Sequence, residues 1–299
     1  MLISWKLLNS CAPTLRAGSP SRASSVSRKL GILAGGGVLP QLLVAACHIK
    51  ARPVFVLAFE GHTEIESTQG VEHAWVRLGA AGKALQFLRD ASTEDLVLAG
   101  PIRRPSLMDL RPDAAALKFF ARAGGKAMGD DSLLRGIIQM LEEDEGFRVV
   151  GVDDVLSGIT APEGTFGAHV PDVAAERDIG RGVEAVRALG AADVGQAVVV
   201  QDGIVLGVEA AEGTDALLKR CGALRREGPG GVLVKLSKPG QEKRADLPTI
   251  GVDTVARAMD AGLRGIAVEA GHTLIIETDD VIEAADVAGM FLIGLSISP

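Results

Sequence analysis

Apolar and polar positions fall into two alternating patterns along the chain: short apolar runs bounded by turn residues, and longer stretches with a helical stripe. Residues 29–33 form the first apolar run and predict a buried strand. Residues 34–40, Ala-Gly-Gly-Gly-Val-Leu-Pro, read as a tight turn, with Pro40 suited to the first turn of a helix reaching about Ile49. Residues 53–59 repeat the apolar run. Strand, glycine turn, helix and strand make a βαβ unit, which implies a right-handed crossover and a parallel sheet. Residues 74–78 and 96–100 predict further strands, with a short helix over 83–89 between them. An Ala-rich helix is expected over 114–122. Beyond it Leu133, Leu134, Ile137, Ile138 and Leu141 recur at helical spacing as a core stripe. Residues 147–150 close this unit as a strand.

Residues 157–170 are rich in Gly, Pro, Thr and Ala, show little periodicity and read as a linker. His169 lies there and is expected to be exposed. A helix follows over 173–189. Two β-branched runs, 197–201 and 204–209, flank Asp202-Gly203, a strong signal for a two-residue hairpin turn. A helix over 216–221, a strand over 231–235, a helix over 252–261, strands over 265–270 and 273–277, a helix over 279–288 and an apolar segment over 290–297 complete the pattern. The whole predicts an α/β fold: a Rossmann-like parallel-sheet domain over 29–156, and a second α/β domain over 171–299.

Composition narrows the function. With 47% apolar residues, 3% aromatics and no Tyr in 299 residues, the core must be aliphatic. A net charge of −7 argues against a protein that coats nucleic acid, so no nucleic-acid partner is expected. No apolar run approaches the roughly 18 residues of a spanning helix. Cys11, Cys47 and Cys221 are too far apart for a metal spacing or a disulfide framework, which fits a reducing compartment. Residues 1–28 carry Arg16, Arg22 and Arg28, many serines and no acid. They resemble a transit peptide in composition or follow from a start codon placed too far upstream; the second reading is preferred, and either way they are expected to lie outside the fold as a disordered leader.

The candidate chemistry concentrates in residues 234–251, Val-Lys-Leu-Ser-Lys-Pro-Gly-Gln-Glu-Lys-Arg-Ala-Asp-Leu-Pro-Thr-Ile-Gly. Pro239, Gly240 and Pro248 exclude a regular helix. Lys235, Lys238, Lys243 and Arg244 can neutralise a polyanion, and Asp246 can hold a metal or a water; a solvated charged loop explains the same spacing. The glycine turn at Gly36–Gly37 sits at the C-terminal end of a strand and opens a helix, where anions bind. The dinucleotide fingerprint fails because Pro40 stands where its last glycine belongs. Glu60, at the second strand's end, reads as a solvated acid or a ribose ligand. Gly100 and the following Pro-Ile-Arg-Arg-Pro put Arg103 and Arg104 on the same sheet edge, for a phosphate, the other domain or a surface ion pair. Asp130 and Asp131 read as helix-capping acids or metal ligands, and either Thr214 or Asp215 as a helix cap. Glu209, Glu212 and Asp215 form an acidic cluster at a strand end. His272, between two strands, reads as a turn residue or a base.

Five segments, 33–40, 98–105, 129–135, 209–215 and 244–251, occur in the order seen in the LpxI-type UDP-2,3-diacylglucosamine pyrophosphatases of lipid A biosynthesis, and the chain resembles that family over residues 29–295. The resemblance implies two domains with the substrate in the cleft between them. It implies Mg²⁺-dependent hydrolysis of UDP-2,3-diacylglucosamine to UMP and 2,3-diacylglucosamine 1-phosphate, with water attacking the phosphorus on the sugar side. Asp246 becomes the key acid by similarity, binding the metal or orienting the water, with Asp215 or Glu209 as the second metal ligand. Lys235 and Lys238 are expected to hold the phosphates as catalytic cations. Gly36, Gly37, Val38, Gly100, Arg104, Thr214, Gln241 and Thr249 are expected to line the substrate. An amphiphilic substrate implies a cytoplasmic protein in transient contact with inner-membrane lipid, for which the apolar tail near Phe291 is a candidate beside its reading as a core strand. A homodimer is compatible with the sequence. A nucleotide-sugar transferase or a non-catalytic nucleotide-sugar-binding protein are the competing functions.

Overall fold

The computed structural model describes residues 27–102, 110–122 and 130–297. The leader up to Val26, the Arg103–Arg104 pair and the Gly124-Gly125 segment lie outside the described residues, as do the side chains of Asp130 and Asp131.

The first domain is a five-stranded, all-parallel sheet in the order β3-β2-β1-β4-β5. Its strands are β1 (Leu30–Ala34), β2 (Val54–Phe59), β3 (Glu72–Val76), β4 (Asp95–Ala99) and β5 (Arg148–Val149). The central strands are apolar on both faces because helices cover both sides. On one face α1 (Leu39–Ile49) buries Leu43, Val44 and Cys47, a stripe at helical spacing, with Pro40 in its first turn. On the other face α2 (Ala81–Asp90) contributes Leu85 and Leu88, and α4 (Asp130–Gln139) contributes Ile138. Helix α3 (Ala114–Arg122) packs on α2, and the short α5 (Val152–Val155) packs on α1. A single π-helical turn, Met140–Asp144, continues α4 and buries Leu141, so the predicted apolar stripe is fully buried only in its second half. Strand β3 begins two residues earlier than its apolar pattern predicts. It is an edge strand and carries exposed Glu72 and His73, which an apolar run cannot reveal.

The second domain is a six-stranded mixed sheet in the order β6-β13-β11-β9-β7-β8. Strands β9 (Val232–Lys235), β11 (Gly265–Glu269) and β13 (Phe291–Leu295) are parallel. Strand β7 (Ala197–Gln201) runs antiparallel to them, and its hairpin partner β8 (Ile204–Val208) returns in their direction at the edge. Asp202 and Gly203 both have positive φ, 53° and 76°, as a two-residue hairpin turn requires. Buried Asp178 of α6 (Val173–Ala191) accepts both of their N–H groups, at 3.1 and 2.7 Å. Helix α6 covers one face of the sheet. On the other lie α7 (Gly213–Gly222), α8 (Val252–Asp260) and α9 (Thr278–Val287), which bury Leu217, Leu218, Val255, Ala258, Val281 and Ala285.

The segment 157–170 is mostly exposed but anchored: Ile159, Ala161 and Phe166 are buried, and β6 (Gly164–Thr165) pairs with β13. The absence of periodicity there reflects a segment crossing between two cores rather than lying on one. One expectation is corrected here. Phe291 is not a membrane contact, because it is 3% exposed on a strand flanked by β6 and β11. Among the described residues no helix is long and apolar enough to cross a membrane.

The domains are joined by more than the chain. The parallel pair β10 (Thr249–Ile250) and β12 (Leu274–Ile275) belongs to neither large sheet. From it Leu274 and Ile276 reach into the first domain's core, with Leu247 packed beside them.

Candidate active site

Open α/β sheets bind ligands beyond the carboxyl ends of their parallel strands. At that edge of the second sheet β9 ends in Lys235 and continues into residues 236–248. Lys235 is 7% exposed, and its ammonium donates to Thr214 Oγ1 at 3.1 Å and to the Thr249 carbonyl at 2.9 Å. Burial is the main influence on this amine and pushes its pKa below the ordinary lysine value; the charges of Glu209, Asp215 and Asp246 oppose the shift without cancelling it. Thr214 lies in the first turn of α7 and does not cap it, contrary to expectation, and neither does Asp215; the residue before the helix, Glu212, caps with no side-chain bond either. The Thr214 hydroxyl instead donates to Glu209 Oε1 at 2.5 Å, while Glu209 Oε2 accepts the Gln196 N–H at 3.0 Å. A cation, a hydroxyl and a carboxylate thus run in series from β9 through α7 to the end of β8.

The loop is held by its own polar groups. Gln241 Nε2 donates to Asp246 Oδ2 at 2.6 Å, and Gln241 Oε1 accepts the Lys238 N–H at 2.8 Å. Gln241 is 6% exposed, so this amide fixes Asp246 from beneath. Lys238, expected to hold phosphate, places its ammonium 2.8 Å from Asp193 at the end of α6. Gly190 of that helix lets Lys238 and Pro239 pack close: a Cβ there would lie 2.9 Å from Pro239 Cδ. Arg244 donates to Glu242 at 2.9 Å and, across the domain boundary, to Glu142 at 2.7 Å. The Arg244 bond holds the Glu242 carboxyl below the ordinary range. Ala245 packs on the first domain's core as well, so the segment carrying Asp246 is seated on both domains.

The predicted metal set does not assemble. Among the described residues no three His, Cys, Asp or Glu side chains converge as a metal cluster. Asp215 faces Arg257 of α8 at 3.2 Å, and both oxygens of Glu209 accept protein hydrogen bonds. Ion pairing and helix packing turned these acids toward protein partners, leaving Asp246 as the carboxylate of the predicted set that the loop itself presents.

On the first domain, the glycine turn and the Gly100 turn interlock. Gly35 N–H donates to the Ala99 carbonyl at 2.7 Å and Gly36 N–H to the Pro101 carbonyl at 2.9 Å. Gly100 has φ 88°, and a Cβ there would sit 2.1 Å from the Gly36 carbonyl oxygen. Close backbone approach is therefore one reason for these glycines. Among the described residues, Gly37, at φ 78°, has only Pro101 Cδ near its Cβ position, at 4.0 Å, and Val38, 36% exposed, starts α1. Arg104 lies outside the described residues. Glu60 is exposed, and Thr249 uses its hydroxyl on the Leu247 carbonyl at 3.2 Å.

Residues that sequence reasoning missed include Gln196, Ser237, Glu142 and Glu269. Glu269 had a usable signal: like Lys235, it is a polar residue ending a buried parallel strand. A cavity of about 840 Å³ opens elsewhere, between α2, α3 and α4, and mixes Leu85, Phe119 and Met140 with Lys118, Arg135 and Glu143. None of the residues around Asp246 and Lys235 line it.

Comparison with known proteins agrees with the two-domain architecture. The description of the LpxI N-terminal domain matches residues 29–159, and that of the LpxI C-terminal domain matches residues 162–293. The UDP-2,3-diacylglucosamine pyrophosphatase LpxI of Caulobacter vibrioides is 40% identical over 275 residues, covering 90% of this chain and 98% of that protein. With both domains matched in order, and 40% identity over 90% of its length, the chain belongs to the LpxI family.

Proposed function

We propose that this chain hydrolyses the pyrophosphate bond of UDP-2,3-diacylglucosamine to UMP and 2,3-diacylglucosamine 1-phosphate. The observation that carries this reading is the near full-length similarity to a pyrophosphatase of that name, joined to a loop-borne carboxylate at the ligand edge of the sheet. Water attacks the sugar-side phosphorus, the anhydride P–O bond to the uridylyl phosphate breaks, and UMP departs with that oxygen. Asp246 takes the proton of the attacking water, aimed by the Gln241 amide bound to its other oxygen. Lys235, its ammonium already turned toward Thr214 and Thr249, offers positive charge to the developing phosphate oxygens. This reading assigns Lys238, Gly36, Gly37, Val38, Gly100, Thr214 and Thr249 to the substrate, together with Arg104.

Magnesium would be held through Asp246 together with the substrate's own phosphate oxygens, since this ion is often bound by only one or two carboxylates. Bound there, magnesium supplies neutralisation of phosphate charge. The substrate's acyl chains favour a reaction at a membrane surface, and this reading assigns it to the cytoplasmic face of the inner membrane.

Phosphorus NMR of the reaction run in ¹⁸O-water tests activity and site of attack together. The label is expected in the sugar phosphate; label in UMP refutes the sugar-side attack. Asp246→Ala is expected to retain nucleotide binding and lose turnover, and a near-normal rate removes Asp246 from the mechanism.

A further inference from the structure

The segment carrying Asp246 contains Pro239 and Gly240 and no helix or strand, so beyond the bonds of Gln241 its shape depends on side chains that tie it to the sheet. One buried carboxylate fastens it near both ends. Glu269, the last residue of β11 and 8% exposed, lies one position beyond the Val268–Lys235 pairing of β11 and β9. Its Oε2 accepts the Ser237 N–H at 2.9 Å and the Ser237 hydroxyl at 2.5 Å. Its Oε1 meets His272 Nδ1 at 2.9 Å, and His272 Nε2 meets the Lys243 ammonium at 2.8 Å. An ammonium only donates, so Nε2 must present its lone pair and the neutral ring carries its proton on Nδ1, which donates to Glu269. The chain Lys243–His272–Glu269–Ser237 is therefore directional, with a donor and an acceptor matched at each link.

We propose that Glu269 and His272 are positioning residues for the hydrolysis: they hold Ser237 and Lys243 so that the intervening turn presents Gln241 and Asp246 at the end of β9. This rests on the reading of Asp246 as the reacting acid. The strand-end location explains how a carboxylate that touches no reacting atom controls one that does. Glu269 is fixed by the strand pairing of the sheet, whereas the loop has no backbone ladder of its own. A buried carboxylate that merely stabilised the fold would need bonds to the regular elements around it. The side-chain bonds of Glu269 go to Ser237, at the root of the loop, and to His272, the contact of Lys243.

Steady-state kinetics of the full chain on UDP-2,3-diacylglucosamine, with thermal midpoints, test this. Glu269→Gln keeps an acceptor for Ser237 but turns an amide N–H on His272. The ring must then carry its proton on Nε2, against the Lys243 ammonium. His272→Ala cuts the outer link, and because His272 is only partly buried it keeps the test decisive should Glu269→Gln fail to fold. Both are expected to lower kcat by roughly 10- to 100-fold through misplacement of Asp246, with KM within about threefold and the midpoint nearly unchanged. Ser237→Ala is expected to lower kcat in the same way and Ser237→Thr to restore it. In an Asp246→Asn background the Glu269 and His272 changes are expected to cost nothing further, because the group they aim is gone. Full kcat in Glu269→Gln and His272→Ala beside an inactive Asp246→Asn overturns the inference alone. So does an equal loss in both backgrounds, or a loss that tracks the unfolded fraction. A near-normal rate in Asp246→Asn overturns the functional reading, and this inference with it.

Discussion

Replacing Thr214 by valine removes one hydroxyl and keeps the shape of the side chain. That hydroxyl donates to Glu209 at 2.5 Å and accepts from the Lys235 ammonium at 3.1 Å. Both charged partners are under a tenth exposed. Hydrogen bonds to charged groups contribute about 1.5–3 kcal/mol each, so losing two costs roughly 3–6 kcal/mol. The added methyl returns about 0.8 kcal/mol of apolar burial. Glu209 keeps the Gln196 N–H and Lys235 keeps the Thr249 carbonyl, so neither charge is stranded. The expected loss of stability is about 2–5 kcal/mol, read by urea unfolding as a fall in midpoint at unchanged slope. Thr214→Ser keeps the hydroxyl and should lose only about 1 kcal/mol for the missing methyl. A valine variant within about 0.5 kcal/mol of the parent, or no milder a loss for serine, refutes the chain of bonds as described.

Other positions test the scaffold. Gly100→Ala meets both a φ of 88° and a carbonyl 2.1 Å from its new Cβ; a fall in thermal midpoint equivalent to about 1–3 kcal/mol or more is expected, and unchanged melting refutes the interlocked turns. The Arg244–Glu142 pair crosses the domain boundary with both side chains about a third exposed. A double-mutant cycle with Arg244→Ala and Glu142→Ala should give a coupling of only about 0.2–1 kcal/mol in unfolding, and a value near zero removes the pair as a domain tie. Burial raises the Asp95 carboxyl, but the bond and charge of Arg148, with Arg52 and Arg28, outweigh it and hold the group below the ordinary carboxylate range. Its stabilisation is thus present above the unfolded value near pH 4 and lost as pH falls through the folded one, so acid unfolding below about pH 4 should be steeper in the parent than in Asp95→Asn. Equal slopes refute it.

Much was legible along the chain because local rules settle it. Apolar runs with glycine and proline punctuation located β1, α1, β2, β4 and the β7–β8 hairpin to within a residue or two, since backbone conformation and strand burial are encoded nearby. The motif order identified the family, and the candidate loop was visible as polar residues strung between a buried strand and a helix. What only the tertiary structure decided was which side chains meet. Asp215 and Asp246 are both exposed-looking acids in sequence, yet one is turned to Arg257 of α8 and the other to Gln241 of its own loop. Glu269 and Lys235 are 34 positions apart and come together only because β9 and β11 are neighbours in one sheet. Residues 157–170 carry no period and are mostly exposed, yet Ile159 enters the first domain's core and Ala161 and Phe166 enter the second's. Periodicity reports the burial of a regular element against one surface. A hydrogen bond or ion pair between distant residues depends on strand order and helix docking, which no local window of sequence contains.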